Sequence, residues 1–228
     1  MKDFIESFGV PHTEVDLVLI NGSSAAFSTP VGNRDRVSVY PPFRSLDVSS
    51  LTQVRPPVQP APRFVLDVHL GRLAAYLRML GFDSAYSNRA SDPELARLAE
   101  EQDAILLTRD RYLLMRSEIA RGHWVRSVNP KEQLLEVSLR FHLLSLMKPF
   151  TRCMVCNGSL QQVSRESVVE TLPPKVAQKV DFRRCGACGQ LYWEGTHHER
   201  MKRIVQWLRQ SVQTTGGAKD KVGQASLG

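Results

Sequence analysis

The sequence predicts an α/β protein: a parallel sheet with helices on both faces, preceded by a short β-rich segment and followed by a small cysteine module. Three observations predict it. Strand and helix signals alternate with short connections from residue 64 to 147, an order that builds a parallel sheet. Two Cys-x-x-Cys pairs, Cys153/Cys156 and Cys185/Cys188, flank residues 157–184. Four thiolates so spaced suit one tetrahedral metal ion. Four prolines crowd into residues 54–62, which rules out helix or central strand there and reads as a semi-rigid linker.

The chain has 228 residues, 42% apolar and 23% charged, which is globular material large enough for a sizeable core. No apolar run approaches the roughly 18 residues of a membrane span, and the first residues lack the apolar stretch of a signal peptide. Membrane-embedded and secreted classes are excluded, and a cytoplasmic location is expected. The net charge of +7 is uneven: residues 150–228 carry 12 Lys and Arg against 6 Asp and Glu, whereas residues 1–63 balance at 6 against 6. A basic lobe beside a neutral one suits a polyanion such as nucleic acid, with simple solubility as the competing explanation.

In chain order, residues 3–8 read as the end of an amphipathic helix closed by Gly9, and residues 15–20 as a strand ending in the Asn21-Gly22 turn signal. Residues 36–40 alternate apolar and polar as a half-buried strand does, up to Pro41-Pro42. The run DLVLING…GNRDRVSVYPP resembles the second half of a ubiquitin-like β-grasp domain of the sulfur-carrier type. The opening hairpin of that fold is missing; a start placed further upstream accounts for this equally well. The segment ends in Tyr-Pro-Pro-Phe with no Gly-Gly terminus, so carrier chemistry has no acceptor. Residues 1–50 are therefore expected to be a partial β-grasp docking piece with an exposed strand edge, able to hold a protein partner. Residues 51–63 form the linker.

Residues 64–149 carry the α/β pattern. Residues 64–68 form a strand, and Leu70, Leu73, Leu77 and Leu80 repeat at helical spacing up to Gly81. Residues 83–86 form a short strand, Asp92-Pro93-Glu94 opens a helix, and residues 104–108 form a buried strand. Asp110 starts a short helix, residues 123–127 a further strand and residues 130–147 a long helix. Ligands of such sheets sit beyond the carboxyl ends of the strands. Asp67, Asp92 and Asp110 fall there, and three hard oxygen donors suit Mg²⁺ or Mn²⁺. Asp92 and Asp110 equally suit helix capping. Asp67 resists that reading, because an aspartate in an apolar strand needs a partner. Asp83 reads as a turn residue and a reserve ligand.

The run FVLDVHLGRLAAYLRMLGFDSAYSNRASDPELARLAEEQDAILLTRDRYLL, continued through both cysteine pairs to YWEGTHHERM, resembles the Mut-seven C-terminal (Mut7-C) RNase family, a branch of the PIN nucleases. The resemblance spans roughly residues 64–205. It implies a PIN-like fold and metal-dependent RNA cleavage, with Asp67, Asp92 and Asp110 as catalytic acids and Mg²⁺ or Mn²⁺ ligands. Arg72, Arg78, Thr108, Arg109 and Arg111 also fall in its motifs, as phosphate contacts or as groups orienting the carboxylates. His69 reads as supporting or packing rather than as a general base.

Residues 150–196 form a zinc ribbon with Cys153, Cys156, Cys185 and Cys188 as ligands; disulfides suit a chain without a secretion signal poorly, and a redox site would not need the second pair. A four-sulfur site is closed and structural. Strand-like pieces lie at 161–163 and 168–171. Lys175, Lys179, Arg183 and Arg184, with Tyr192 and Trp193, are candidates for RNA contact, or the aromatics pack the ribbon. Residues 197–211 form a helix begun by His197 and His198, with Ile204, Val205 and Leu208 on one face, and residues 212–228 a tail too polar to order. The expected function is a metal-dependent ribonuclease whose zinc ribbon aids RNA binding. The alternative is a non-catalytic RNA-binding or regulatory protein with a degenerate PIN-like domain.

Overall fold

The computed structural model describes residues 1–43, 46–55, 60–168, 172, 176 and 181–217. In chain order the helices are α1 (Lys2–Ser7), α2 (Gly71–Met79), α3 (Asp92–Glu101), α4 (Pro130–Arg140) and α5 (Thr196–Gly217). The strands are β1 (Leu17–Ile20), β2 (Ser23–Ser24), β3 (Val37–Tyr40), β4 (Phe64–Leu66), β5 (Ser84–Tyr86), β6 (Ile105–Thr108), β7 (Gly122–Trp124), β8 (Leu160–Val163), β9 (Phe182–Cys185) and β10 (Leu191–Trp193). They form two compact units, Met1–Gly71 with Ser84–Val128, and Arg72–Asp83 with Asn129–Gly228. The division does not follow the proline-rich stretch: the N-terminal segment shares a unit with the parallel strands. Among the described residues no helix is long and apolar enough to cross a membrane.

The first unit holds two sheets. The expected α/β architecture is present as a four-stranded parallel sheet in the order β5-β4-β6-β7. β4 and β6 are the inner strands and are buried throughout, which is why they read as unbroken apolar runs. Leu95, Ala96 and Ala99 of α3 join Val65, Leu106, Leu113 and Leu114 in one core, each fully buried leucine contributing about 1.5–3 kcal/mol. The cap of α3 differs from expectation. Glu94 accepts hydrogen bonds from the Ser91 backbone N–H and hydroxyl at 2.8 and 2.7 Å, so Ser91 begins the helix and Asp92 is released from capping. The β-grasp segment forms an antiparallel sheet β2-β1-β3 over Ile5, Val15, Val18 and Ala25.

In the second unit α2 ends at Gly81, whose φ of 93° places a would-be β-carbon 2.2 Å from the Lys148 carbonyl oxygen. Only glycine fits that approach. The Lys148 and Phe150 N–H groups then bond the Leu80 and Met79 carbonyls at 2.9 and 2.8 Å. The helix expected over 130–147 stops at Arg140, where His142 adopts a left-handed φ of 52°, and continues only as a 3₁₀ turn, Leu143–Ser145. The cysteine module is an antiparallel sheet β10-β9-β8. Val168 is buried in a turn rather than a strand, and the rest of that expected strand lies outside the described residues. α5 runs on to Gly217, past the expected limit at 211, with Met201, Val205 and Leu208 buried.

Candidate active site and cysteine cluster

β4 and β6 are neighbours, so their carboxyl ends place Asp67 beside Thr108. Asp67 is buried, and its N–H extends the ladder to the Leu107 carbonyl at 3.0 Å. The Thr108 hydroxyl donates to Asp67 Oδ2 at 2.8 Å and accepts the Asp110 N–H at 2.9 Å. One buried side chain thus joins the two acids. Asp110 Oδ1 also accepts the Tyr112 N–H at 2.8 Å, shaping the turn that leads to a 3₁₀ turn, Leu113–Met115, in place of the short helix expected there. One oxygen of each carboxylate is left without a hydrogen-bond partner among the described residues.

Asp92 opens α3 beyond β5, on the other side of β4, exposed and unpaired among the described residues. The three acids therefore share the carboxyl side of adjacent strands. They are not drawn into one ion-sized nest: among the described residues only the cysteine quartet brings three or more candidate ligands that close together. Arg72 and Arg109 are exposed, and Arg111 is half-buried. His69 is exposed too, which removes the packing role expected for it.

Behind this rim lies a network that sequence reading missed. Glu14, in the 3₁₀ turn His12–Glu14, is buried and accepts from Trp124 N–H and His123 Nδ1, both at 2.9 Å, and from Arg126 at 2.6 Å. The Trp124 indole donates to the Arg109 carbonyl at 3.2 Å. The N-terminal segment thus braces the end of β7, and through Trp124 the loop carrying Asp110. Burial pushes the Glu14 carboxyl up, but bonding to His123, Trp124 and Arg126 outweighs it and lowers the pKa to about 2, against an ordinary 4.5. A depressed carboxylate stabilises the fold fully above its ordinary value and loses that stabilisation as pH falls through its folded one. Glu14→Gln is expected to cost about 3 kcal/mol at neutral pH. It should also flatten the loss of stability between pH 4.5 and 2, measured by denaturant unfolding at several pH values. Identical acid slopes in both proteins would remove Glu14 from this role.

The cysteine cluster lies in the second unit. The Cys153–Cys188 and Cys156–Cys185 sulfurs are 3.7 and 3.4 Å apart, and all four lie within 4.8 Å of one another. A tetrahedral ion with bonds of about 2.3 Å needs sulfur separations of roughly 3.8 Å, so the quartet is compatible with zinc. The turns are tight: the Cys153 N–H bonds the Gly158 carbonyl at 2.7 Å, and a β-carbon at Gly158 would stand 2.9 Å from Cys185 Sγ. Burial opposes ionisation of Cys153, but the Tyr192 hydroxyl and backbone N–H groups outweigh it and pull the thiol to about 6. The Gln190 N–H favours the Cys188 thiolate, yet Cys156, burial and the other thiols push it up to about 12. A cation bound among the four sulfurs would favour their thiolate forms, and zinc is such a cation.

Arg78 requires a correction. Assigned by its motif to phosphate or carboxylate, it is buried and donates to the Met154 and Val155 carbonyls at 3.1 and 2.9 Å, gripping the first knuckle. Asp83, the reserve ligand, does the same work. It accepts from Asn157 Nδ2 at 2.6 Å and Arg152 at 3.1 Å. Tyr192 bonds Cys153 Sγ and the Met154 N–H, both at 3.1 Å, so its hydroxyl braces the first cysteine knuckle, while Trp193 is partly exposed. Arg183 and Arg184 are consecutive in β9 and point to opposite faces; Arg183 also donates to the Phe150 carbonyl at 2.6 Å. Lys175 and Lys179 lie outside the described residues. His197 and His198 begin α5 as expected, with the His198 ring edge-on to Phe150 at 4.6 Å.

Two family models match the chain: the Mut7-C RNAse domain over residues 62–205 and Mut7-C ubiquitin over residues 1–47. No curated protein and no solved structure matches it.

Proposed function

The chain belongs to the Mut7-C RNase family, carries that family's ubiquitin-like segment at its N-terminus, and from this premise we propose a metal-dependent ribonuclease acting at the rim of the parallel sheet. The observation that carries the proposal is the Asp67–Thr108–Asp110 linkage. It ties the Asp67 carboxylate to the Asp110 backbone at the ends of adjacent strands, and each carboxylate keeps an oxygen to spare among the described residues. Asp67 and Asp110 would hold Mg²⁺ or Mn²⁺, with Asp92 contributing from the α3 side. Such an ion, when bound, activates water and stabilises the leaving oxygen of a phosphodiester. Thr108 holds Asp67 in one rotamer and the Asp110 backbone at a fixed distance from it. Arg109 and Arg111 supply positive charge for the phosphate. The test is degradation of single-stranded RNA with and without Mn²⁺, comparing wild type with Asp67→Asn. Absence of cleavage in wild type across RNAs and both metals would support the RNA-binding alternative.

The cysteine module would be a closed structural zinc site, with RNA affinity residing mainly, though not wholly, in the basic C-terminal third. Neutral substitution of Lys175, Lys179, Arg183 and Arg184 together is expected to weaken RNA binding and flatten its salt dependence. The slope of log affinity against log salt falls by about 0.7 for each single-strand phosphate that the protein no longer neutralises. A binding titration at two salt concentrations measures it, and an unchanged slope would reject the ribbon as the binding surface.

A further inference from the structure

Beside the acidic rim the ubiquitin-like segment presents aromatic surface that packing does not use. Phe4 and Phe8 meet edge to face with centroids 5.2 Å apart, yet they are 48% and 72% exposed. Large apolar side chains grouped on a surface mark interaction sites more often than chance exposure does. Gly9, next to Phe8, lies against Arg111: a β-carbon on Gly9 would stand 3.5 Å from the guanidinium. Arg111 in turn lies 5.0 Å over the ring of Tyr112, which is 64% exposed. Arg111 and Tyr112 directly follow Asp110 in the chain. Aromatic surface with a cation set into it therefore runs from α1 to the loop that carries the acid.

The segment is anchored firmly enough to position that surface. His12 bonds Glu6 at 2.6 Å through Nδ1 and the Ile119 carbonyl at 2.7 Å through Nε2, and Glu14 makes the bonds described above. The first of these bonds also turns the Glu6 carboxylate inward onto His12, away from an incoming polyanion. Lys2 and Asp3, also on α1, offset each other in charge.

We propose that Phe4, Phe8 and Tyr112, with Arg111, form a single-stranded RNA contact surface, so that the ubiquitin-like segment is one wall of the substrate path. Unpaired bases stack on the rings while Arg111 meets a phosphate. The proposal takes its substrate class from the ribonuclease reading but is independent of which carboxylate performs the chemistry. RNA is favoured over a protein partner by the continuity with the Asp110 loop and by the cation among the rings.

The test is a binding titration of the full-length chain carrying Asp67→Asn, with and without Phe4→Ala and Phe8→Ala. The probes are a single-stranded RNA oligonucleotide and an abasic oligonucleotide of equal length. The expected result is an affinity for intact RNA lower by about tenfold for each base that no longer stacks. Affinity for the abasic strand and the thermal midpoint should be unchanged, since both rings are exposed. Unchanged affinity for intact RNA would overturn the proposal and leave the pair to a protein partner. Equal weakening on both strands would overturn it as well, by showing that no base is stacked. Cleavage is read separately with Asp67 intact. A chain that binds RNA through the two phenylalanines but never cuts it would reject the nuclease reading and keep the surface.

Discussion

Asp67→Asn is expected to lower metal-dependent RNA cleavage by at least about a thousandfold while leaving the fold in place. A bound cation contributes several kcal/mol to charge stabilisation in such reactions, and each 1.4 kcal/mol is a factor of about ten in rate. The asparagine keeps the volume of the aspartate and an oxygen to accept from Thr108 Oγ1, 2.8 Å away. What it loses is charge. Asp110→Asn should behave in the same way, since an amide oxygen still accepts the Tyr112 N–H. Thr108→Val separates positioning from ligation: it removes the hydroxyl that donates to Asp67 and accepts from the Asp110 N–H but leaves both carboxylates. Its cleavage rate should fall by an intermediate factor, about ten to a hundred, and partly recover at high Mn²⁺. Rates in the three variants, with circular dichroism to check folding, decide the matter; full activity in Asp67→Asn or Asp110→Asn would reject the site.

Cys153→Ser is expected to lower bound zinc from about one ion per chain and to loosen β8, β9 and β10. Metal affinity in closed four-sulfur modules is folding free energy, about 10–16 kcal/mol in small zinc peptides, so losing one thiolate removes a large share of what orders the ribbon. Cys153 is also closely tied to its surroundings: it is buried, takes the Tyr192 hydroxyl at 3.1 Å, and begins the knuckle whose carbonyls Arg78 grips. Elemental analysis reads the zinc, and hydrogen exchange reads the protection of residues 160–163, 182–185 and 191–193. Wild-type protein without zinc and with two disulfides would overturn the assignment. Tyr192→Phe makes a milder companion. It keeps the four ligands but removes the bond to Cys153, so it should hold zinc less tightly without releasing it on purification.

Local patterns in the sequence determined the α/β class, the cysteine quartet and the candidate acids. Each is written in short spacings: apolar runs at 64–66 and 104–107, leucines at helical intervals in α2, and paired cysteines three residues apart. The placement of Asp67 and Asp110 at strand ends followed from the same runs, because a strand's carboxyl end is visible as the point where the apolar run stops. The partnerships came only with the tertiary structure. Thr108 joins Asp67 across adjacent strands, Arg78 turns to a cysteine knuckle, and Glu14 reaches Trp124 and Arg126. No periodicity encodes such pairs, since they form between residues that meet only after β-strands pair and loops close. The Pro-rich stretch illustrates the same limit. Its composition marks an extended chain, but whether such a chain separates two units or returns to the same one depends on what lies at its ends. Here buried His12 and Glu14, bonding to Ile119, His123 and Trp124, keep the N-terminal segment in the unit of the parallel sheet.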